Sequence, residues 1–259
     1  GNETMKGNLI FINTNPISNM ILSSGITAAD FINGLDELPQ NIILLNNDDQ
    51  AANGYNSHSK FNLINGTGEI RTYLLRNPGQ KKKFIDFDVE DSVNNLSPFE
   101  IAELLYLAHM GTPMGRPFSS KLNNHYIYLS QDNGTIRSYY RRFSDFNHVL
   151  EIAIKRNLRE THNTLRVFLR PLAIKDIDRS ILLDLITKAN DGLFISFDSL
   201  RERSRTYHIP LRILKDPDQV SIILRTGKVD ENTVYAGALT YNLQTSKWHL
   251  EWQDQTVGV

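Results

Sequence analysis

Apolar residues recur along this chain in three patterns: short continuous runs, strict alternation, and the three-to-four spacing of an amphipathic helix. The run Asn8–Asn13 (NLIFIN) predicts a buried strand closed by the turn-forming pair Asn15-Pro16, and Asn41–Leu45 (NIILL) predicts a second. Between them Thr27, with Asp30 three residues on, predicts a capped helix running to Leu35, since Pro39 forbids its continuation. Periodicity then lapses over Asn46–Tyr55, which reads as a surface loop. It resumes with a strand at Ile70–Leu75, a turn at Asn77-Pro78-Gly79 and a partner strand at Phe84–Glu90, so a hairpin is expected here.

The strongest local signal is Ser97-Pro98-Phe99-Glu100. Serine serves as N-cap, proline takes the first helical position and glutamate closes the capping box. The helix should reach Met110, with Gly111 supplying the left-handed end and Pro113 barring extension. Phe99, Ile101, Leu104, Leu105, Leu107 and Met110 surround most of its axis, which predicts a largely buried helix. After the Gly/Pro-rich loop Gly111–Ser120, strands at His125–Ser130 and Thr135–Phe143 should form a hairpin turning at Asn133-Gly134. A helix over Asp145–Arg159 follows, capped by Ser144.

Glu160–Thr164 is polar enough to be a linker. Beyond it the pattern predicts a strand at Leu165–Leu169, a helix at Asp178–Ala189 stopped by Asn190-Asp191-Gly192, and a strand at Leu193–Phe197. Four more strands are expected at Tyr207–Leu214, Val220–Arg225, Thr233–Tyr241 and Lys247–Trp252. The fold class is therefore mixed α+β, with antiparallel-rich sheets covered by helices. Two subdomains are expected, residues 1–158 and 159–259; a single continuous domain is the alternative.

Composition narrows the chemistry. The chain has 259 residues, no cysteine and a formal net charge of -1. Disulfides, thiolate zinc sites and a cysteine nucleophile are excluded, and no global basic excess points to nucleic acid. No run of residues is long and apolar enough to span a membrane, so a cytoplasmic compartment, bacterial or other, is the default expectation and no membrane partner is expected. The motifs of zinc peptidases, nucleophile elbows, phosphate-binding P-loops and EF-hands are missing, and no metal or cofactor is expected.

Local charge is uneven: Arg137–Lys175 carries nine Lys/Arg against three Asp/Glu, and Phe84–Leu105 carries six acids and no base. If Phe84–Glu90 is a strand, Asp86, Asp88 and Glu90 share one solvated face. Arg201, Arg203 and Arg205 suit an edge strand guarded by charge.

A two-residue turn at Asn133-Gly134 would set Tyr128 opposite Tyr139, Tyr126 opposite Arg141 and Ser130 opposite Arg137. One hairpin face would then present three tyrosines and two arginines, suited to stacking on an aromatic group and forking onto an anion. The favoured function is a binding or regulatory protein that holds an anionic or aromatic partner on Tyr126, Tyr128, Arg137, Tyr139 and Arg141, beside the Gly111–Ser120 loop. Two alternatives stand beside it. One is a hydrolase or transferase on a phosphorylated substrate, with His109 or His125 as general acid/base and Arg116 stabilising charge. The other is a protein–protein scaffold whose Tyr-rich surface is the contact.

Overall fold

The computed structural model describes residues 8–46, 54–166 and 172–253. In chain order its elements are β1 (Leu9–Asn15), β2 (Met20–Ser24), α1 (Ala28–Gly34), β3 (Asn41–Leu44), β4 (Gly54–Tyr55), β5 (Asn62–Asn65), α2 (Thr67–Leu75), β6 (Lys83–Phe87), α3 (Glu90–Asn94) and α4 (Pro98–Met110). Then come β7 (Tyr126–Ser130), β8 (Ile136–Tyr140), α5 (Phe146–Leu165), α6 (Arg179–Lys188), β9 (Leu193–Ser196), β10 (Arg201–Arg203), β11 (Thr206–Leu214), α7 (Val220–Thr226), α8 (Val229–Asn232), β12 (Thr233–Asn242) and β13 (Lys247–Trp252). The fold is mixed α+β with antiparallel strand pairs, as the pattern predicts. Among the described residues no helix is long and apolar enough to cross a membrane.

Two compact units emerge, and they interleave along the chain. One comprises residues 15–22 and 27–149, the other 1–14, 23–26 and 150–259. In the second unit the strands run in the order β13, β12, β11, β9, β1, with β10 pairing against β11. The ring pairs Phe11–Phe194 and Tyr241–Trp248 lie in this unit, at 4.7 and 4.8 Å between centroids. The exposed arginines Arg201 and Arg203 do occupy an edge strand, and the turn to β11 uses Ser204 and Arg205, both at positive φ.

The first unit holds the candidate chemistry. Its strands follow the order β8, β7, β6, β3, β5, β4. Because neighbouring side chains on a strand point to opposite faces, β6 and β7 feed two different cores. One is an aromatic cluster of Phe31, Phe84, Tyr126, Tyr128, Tyr140 and Phe146, with Phe84 and Tyr128 stacked at 5.1 Å and Phe31 meeting Tyr126 edge-on at 5.8 Å. The other is largely aliphatic: Ile43, Leu63, Ile85, Leu104, Leu107, Leu122, Ile127 and Leu129, joined by Tyr139. Each well-placed ring pair adds about 0.5–1.5 kcal/mol beyond its buried area.

Several expectations meet corrections with identifiable causes. Residues 70–75 form part of helix α2 rather than a strand, and the expected hairpin partner β6 pairs instead with β3 and β7. Ile70, Tyr73 and Leu74 are the buried positions of α2, a three-and-four spacing hidden among β-favouring residues. Val220–Arg225 is likewise helical in α7, burying Val220 and Ile223. Glu160–Thr164 continues α5, and the strand expected at Leu165–Leu169 gives way to the helix end at Leu165, its remainder lying outside the described residues. Most of the loop expected over Asn46–Tyr55 also lies outside them; its last two residues form β4.

Helix α4 has the caps its sequence announces: Ser97 Oγ accepts from Glu100 N, Glu100 Oε1 accepts from Ser97 N, and Gly111 sits at φ 73°. It is not, however, largely buried. Leu104 and Leu107 enter the core, while Phe99, Leu105, Tyr106 and Met110 are exposed on the far side. An apolar composition all round did not require burial all round.

Gly34, the last residue of α1, lies against the start of α5: a Cβ there would come within 2.5 Å of the Val149 backbone. Gly34→Ala should therefore destabilise the protein by roughly 1–3 kcal/mol, the usual cost of overpacking. Urea unfolding checks this, with a lower midpoint expected at unchanged slope.

Candidate functional site: an arginine-lined cleft

The hairpin of β7 and β8 positions the site. Its connection is five residues long, Gln131–Thr135, closed by Gln131 N–H donating to the Thr135 carbonyl at 2.9 Å, with Gly134 at φ 82°. Asn133 Oδ1 accepts from Thr135 N at 3.1 Å and helps fix the loop. The observed pairs are Tyr126 with Tyr140, Ile127 with Tyr139, Tyr128 with Ser138, and Leu129 with Arg137. This is one residue away from the register expected of a two-residue turn, and a one-residue change moves a whole strand's side chains to the other face.

The expected Tyr/Arg platform is accordingly taken apart. Tyr126 and Tyr128 turn into the aromatic core, where burial pushes their phenols up and keeps them neutral. Tyr126 Oη donates to the Glu37 carbonyl at 2.7 Å. Tyr139 enters the aliphatic core. None of the three tyrosines is exposed, so none offers a ring for stacking by a ligand. Arg137 and Tyr139 stay together on the second face, and Arg141 follows two residues on.

Arg141 extends the ladder just past β8: its N–H donates to the His125 carbonyl at 2.8 Å, and its own carbonyl accepts from Asn19 Nδ2 at 3.4 Å. Held at both backbone groups, it lays its guanidinium over the Phe118 ring, 5.5 Å from the centroid. Its Nε is buried with no hydrogen-bond partner, as is Nε of Arg137. Around Arg141 lies a cleft of about 380 Å³ lined by Ile17, Ser18, Asn19, Arg116, Pro117, Phe118, Ser120 and Arg141. It contains two guanidiniums, three neutral polar side chains and an aromatic ring, and no carboxylate. Arg116 and Arg141 have no ion-pair partner among the described residues.

A second cleft, about 270 Å³, lies beside α4 and has Arg116, Pro117, Phe118 and Ser120 in common with the first. Leu96, Leu104, Leu107, Met114 and Leu122 make it apolar, with Glu100 and Glu103 among its lining. Glu100 is engaged by Lys121 at 2.5 Å and by the Ser97 N–H, which hold its carboxyl below the usual range.

A third cleft, about 250 Å³, is lined by Glu37, Leu38, Pro39, Gln40, Asp86, Phe87, Asp88, Asn123, His125 and Tyr126. Asp86 is buried here rather than on the solvated face expected for it, because both faces of β6 are covered; the three acids share no face, since β6 ends at Phe87 and Glu90 already belongs to α3. Its Oδ1 accepts from the backbone N–H of His125 at 2.8 Å and of Tyr126 at 2.6 Å. Its Oδ2 lies 3.4 Å from His125 Nδ1. Burial raises the Asp86 carboxyl to about 6, against the opposing pull of those N–H groups and of His125.

His109, Arg116 and His125 are thus not brought into one cleft. Arg116 lines the first two, His125 the third, and exposed His109 lines none of them. Phe118, Ser18 and Asn19 also line the first cleft without standing out in the sequence. Only the Arg116-Pro117-Phe118 sequence in a Gly/Pro loop hinted at a cation–aromatic surface. Asp86 had one signal: an acid inside the otherwise apolar run Phe84–Phe87.

Asp86 makes a pH prediction. Its carboxyl binds a proton more tightly in the native state than in the unfolded chain, so its contribution to stability falls as pH rises through the window from about 4 to about 6. Asp86→Asn lacks that slope. The stability of Asp86→Asn relative to the parent protein should therefore increase between about pH 4 and about pH 7, measured by urea unfolding at both ends; a constant or shrinking difference contradicts the assignment. In comparisons with protein-family models, curated proteins and solved structures, nothing matches this chain.

Proposed function

We propose that the protein binds an anionic small molecule in the arginine-lined cleft, with Arg116 and Arg141 as the charge-bearing contacts. One observation carries this reading: two guanidiniums without carboxylate partners line a cleft that contains no acid at all. An arginine that serves only structure ordinarily satisfies its fork of five N–H donors with a carboxylate or with carbonyls. Here neither guanidinium has a carboxylate or carbonyl partner among the described residues.

The chemistry favours a phosphoryl or carboxylate group. Guanidinium forks fit such oxygens two at a time, and the hydroxyls of Ser18 and Ser120 and the amide of Asn19 can complete the shell. The Arg141 guanidinium already lies over the Phe118 ring, so part of the ordering cost is met before a ligand arrives. The reading retains Arg141 and Arg116 from the sequence-based expectation and replaces its tyrosine platform with Phe118.

Inorganic pyrophosphate is the first probe. Calorimetric titration should show saturable binding that weakens as salt is raised, since the contacts are charged. Arg116→Ala and Arg141→Ala should each lose about tenfold in affinity or more, the scale of one charged hydrogen bond. Unchanged pyrophosphate affinity in the double variant would remove the cleft as the site.

A further inference from the structure

A different cleft of the same unit holds a second chemical device. We propose that His125 is a general base that acts on water in the cleft lined by Glu37–Gln40 and Asp86–Asp88, with Asp86 as its positioning residue, toward small uncharged esters.

The geometry supplies the parts of a base and its orienter. Two backbone N–H groups fix the Asp86 carboxylate through one oxygen, and the other oxygen faces His125 Nδ1 at 3.4 Å. The nitrogen that carries the imidazole proton is set by the hydrogen bond its opposite makes. The Asp86 carboxylate oxygen 3.4 Å from Nδ1 favours by its charge the tautomer protonated there, which leaves the Nε2 lone pair free. Nε2 has no partner among the described residues, and the His125 side chain is 30% exposed in a cleft of about 250 Å³. A base must be both held and reachable, and His125 is both. Buried His162, by contrast, spends its Nδ1 on Tyr207 Oη at 2.6 Å and belongs to the second unit.

Charge selects the substrate class. The lining carries Glu37, Asp86 and Asp88 against His125 alone; Glu37 is partly engaged by Arg142 at 3.2 Å, which also approaches Asp145 at 3.5 Å. An anion entering this cleft meets like charge, so the phosphorylated substrates considered from the sequence are disfavoured here. The side-chain amides of Gln40 and Asn123 are the neutral donors in the lining for an oxygen that gains negative charge. In the step itself His125 Nε2 takes a proton from water while the water oxygen bonds to the ester carbonyl carbon. The carbonyl carbon–oxygen bond to the leaving group then breaks, and the imidazolium returns its proton to that oxygen. Asp86 remains a carboxylate throughout.

The test uses the full chain with 4-nitrophenyl acetate, following nitrophenolate release above the rate of buffer with free imidazole at equal concentration. A protein-dependent rate is expected. His125→Ala should lower it at least ~10-fold, the low end for general-base catalysis, while His109→Ala, an exposed histidine outside every cleft described, should leave it unchanged. Asp86→Asn should lower kcat with little change in KM. Two-bond 1H–15N correlation of the parent protein's imidazoles tests the tautomer without any substitution, and His125 should carry its proton on Nδ1. Absence of a protein-dependent rate, equal loss in His109→Ala and His125→Ala, or a His125 proton on Nε2 would each overturn the proposal. None of these outcomes bears on anion binding by the arginine cleft.

Discussion

The register of the β7–β8 hairpin is the constraint on which the first unit depends. A five-residue loop sets Tyr126 opposite Tyr140 and Leu129 opposite Arg137, and from that one choice the two cores and the cleft follow. Shifted by one, Tyr139 would leave the aliphatic core, Tyr140 would leave the aromatic one, and Arg141 would point toward Phe31 and Phe84 instead of Phe118. Such a slip would strand a guanidinium among rings and expose apolar surface, which is why the register is well specified.

The same hairpin end divides two electrostatic environments. His125 and Arg141 are joined through their backbones at 2.8 Å, yet their side chains serve opposite surroundings. His125 joins a cleft with three carboxylates, Arg141 a cleft with none. Directly opposed residues share a sheet face, so the contrast comes from what lies beside each side chain just past the strand ends: Asp86 next to His125 and Phe118 next to Arg141. A buried acid, Asp86, caps the point where the β6–β7 ladder stops, so the group that terminates the pairing also orients the imidazole.

Local signals of capping and turning were the legible part of the sequence. Thr27 with Asp30 and Ser97 with Glu100 form the capping boxes they announce, and Gly111 takes the left-handed end. Where local preference opposed tertiary context, the sequence misled: α2 begins at Gly66 with no side-chain cap, and α7 is a β-branched run made helical by the burial of Val220 and Ile223. Strands β2 and β5 gave too little pattern to find. In the site, Arg116, Arg141 and His125 were legible as residue types beside a loop and a hairpin. Their partners Phe118, Asn19 and Asp86 were not, because contacts between distant parts of a chain leave no mark in the spacing of either part, and because the loop length that sets the register is invisible next to a favourable Asn133-Gly134 pair.

On the proposed reading, Arg116 and Arg141 hold their guanidiniums ready for an anion rather than for the protein itself. The most direct measurement is the 15N-resolved spectrum of the arginine Nε–H groups during addition of pyrophosphate. The Nε–H signals of Arg116 and Arg141 should shift together and saturate, with those of Arg201 and Arg203 on β10 of the second unit following only ionic strength. Signals of Arg116 and Arg141 that stay still, or that move no more than those of the edge strand, would contradict it.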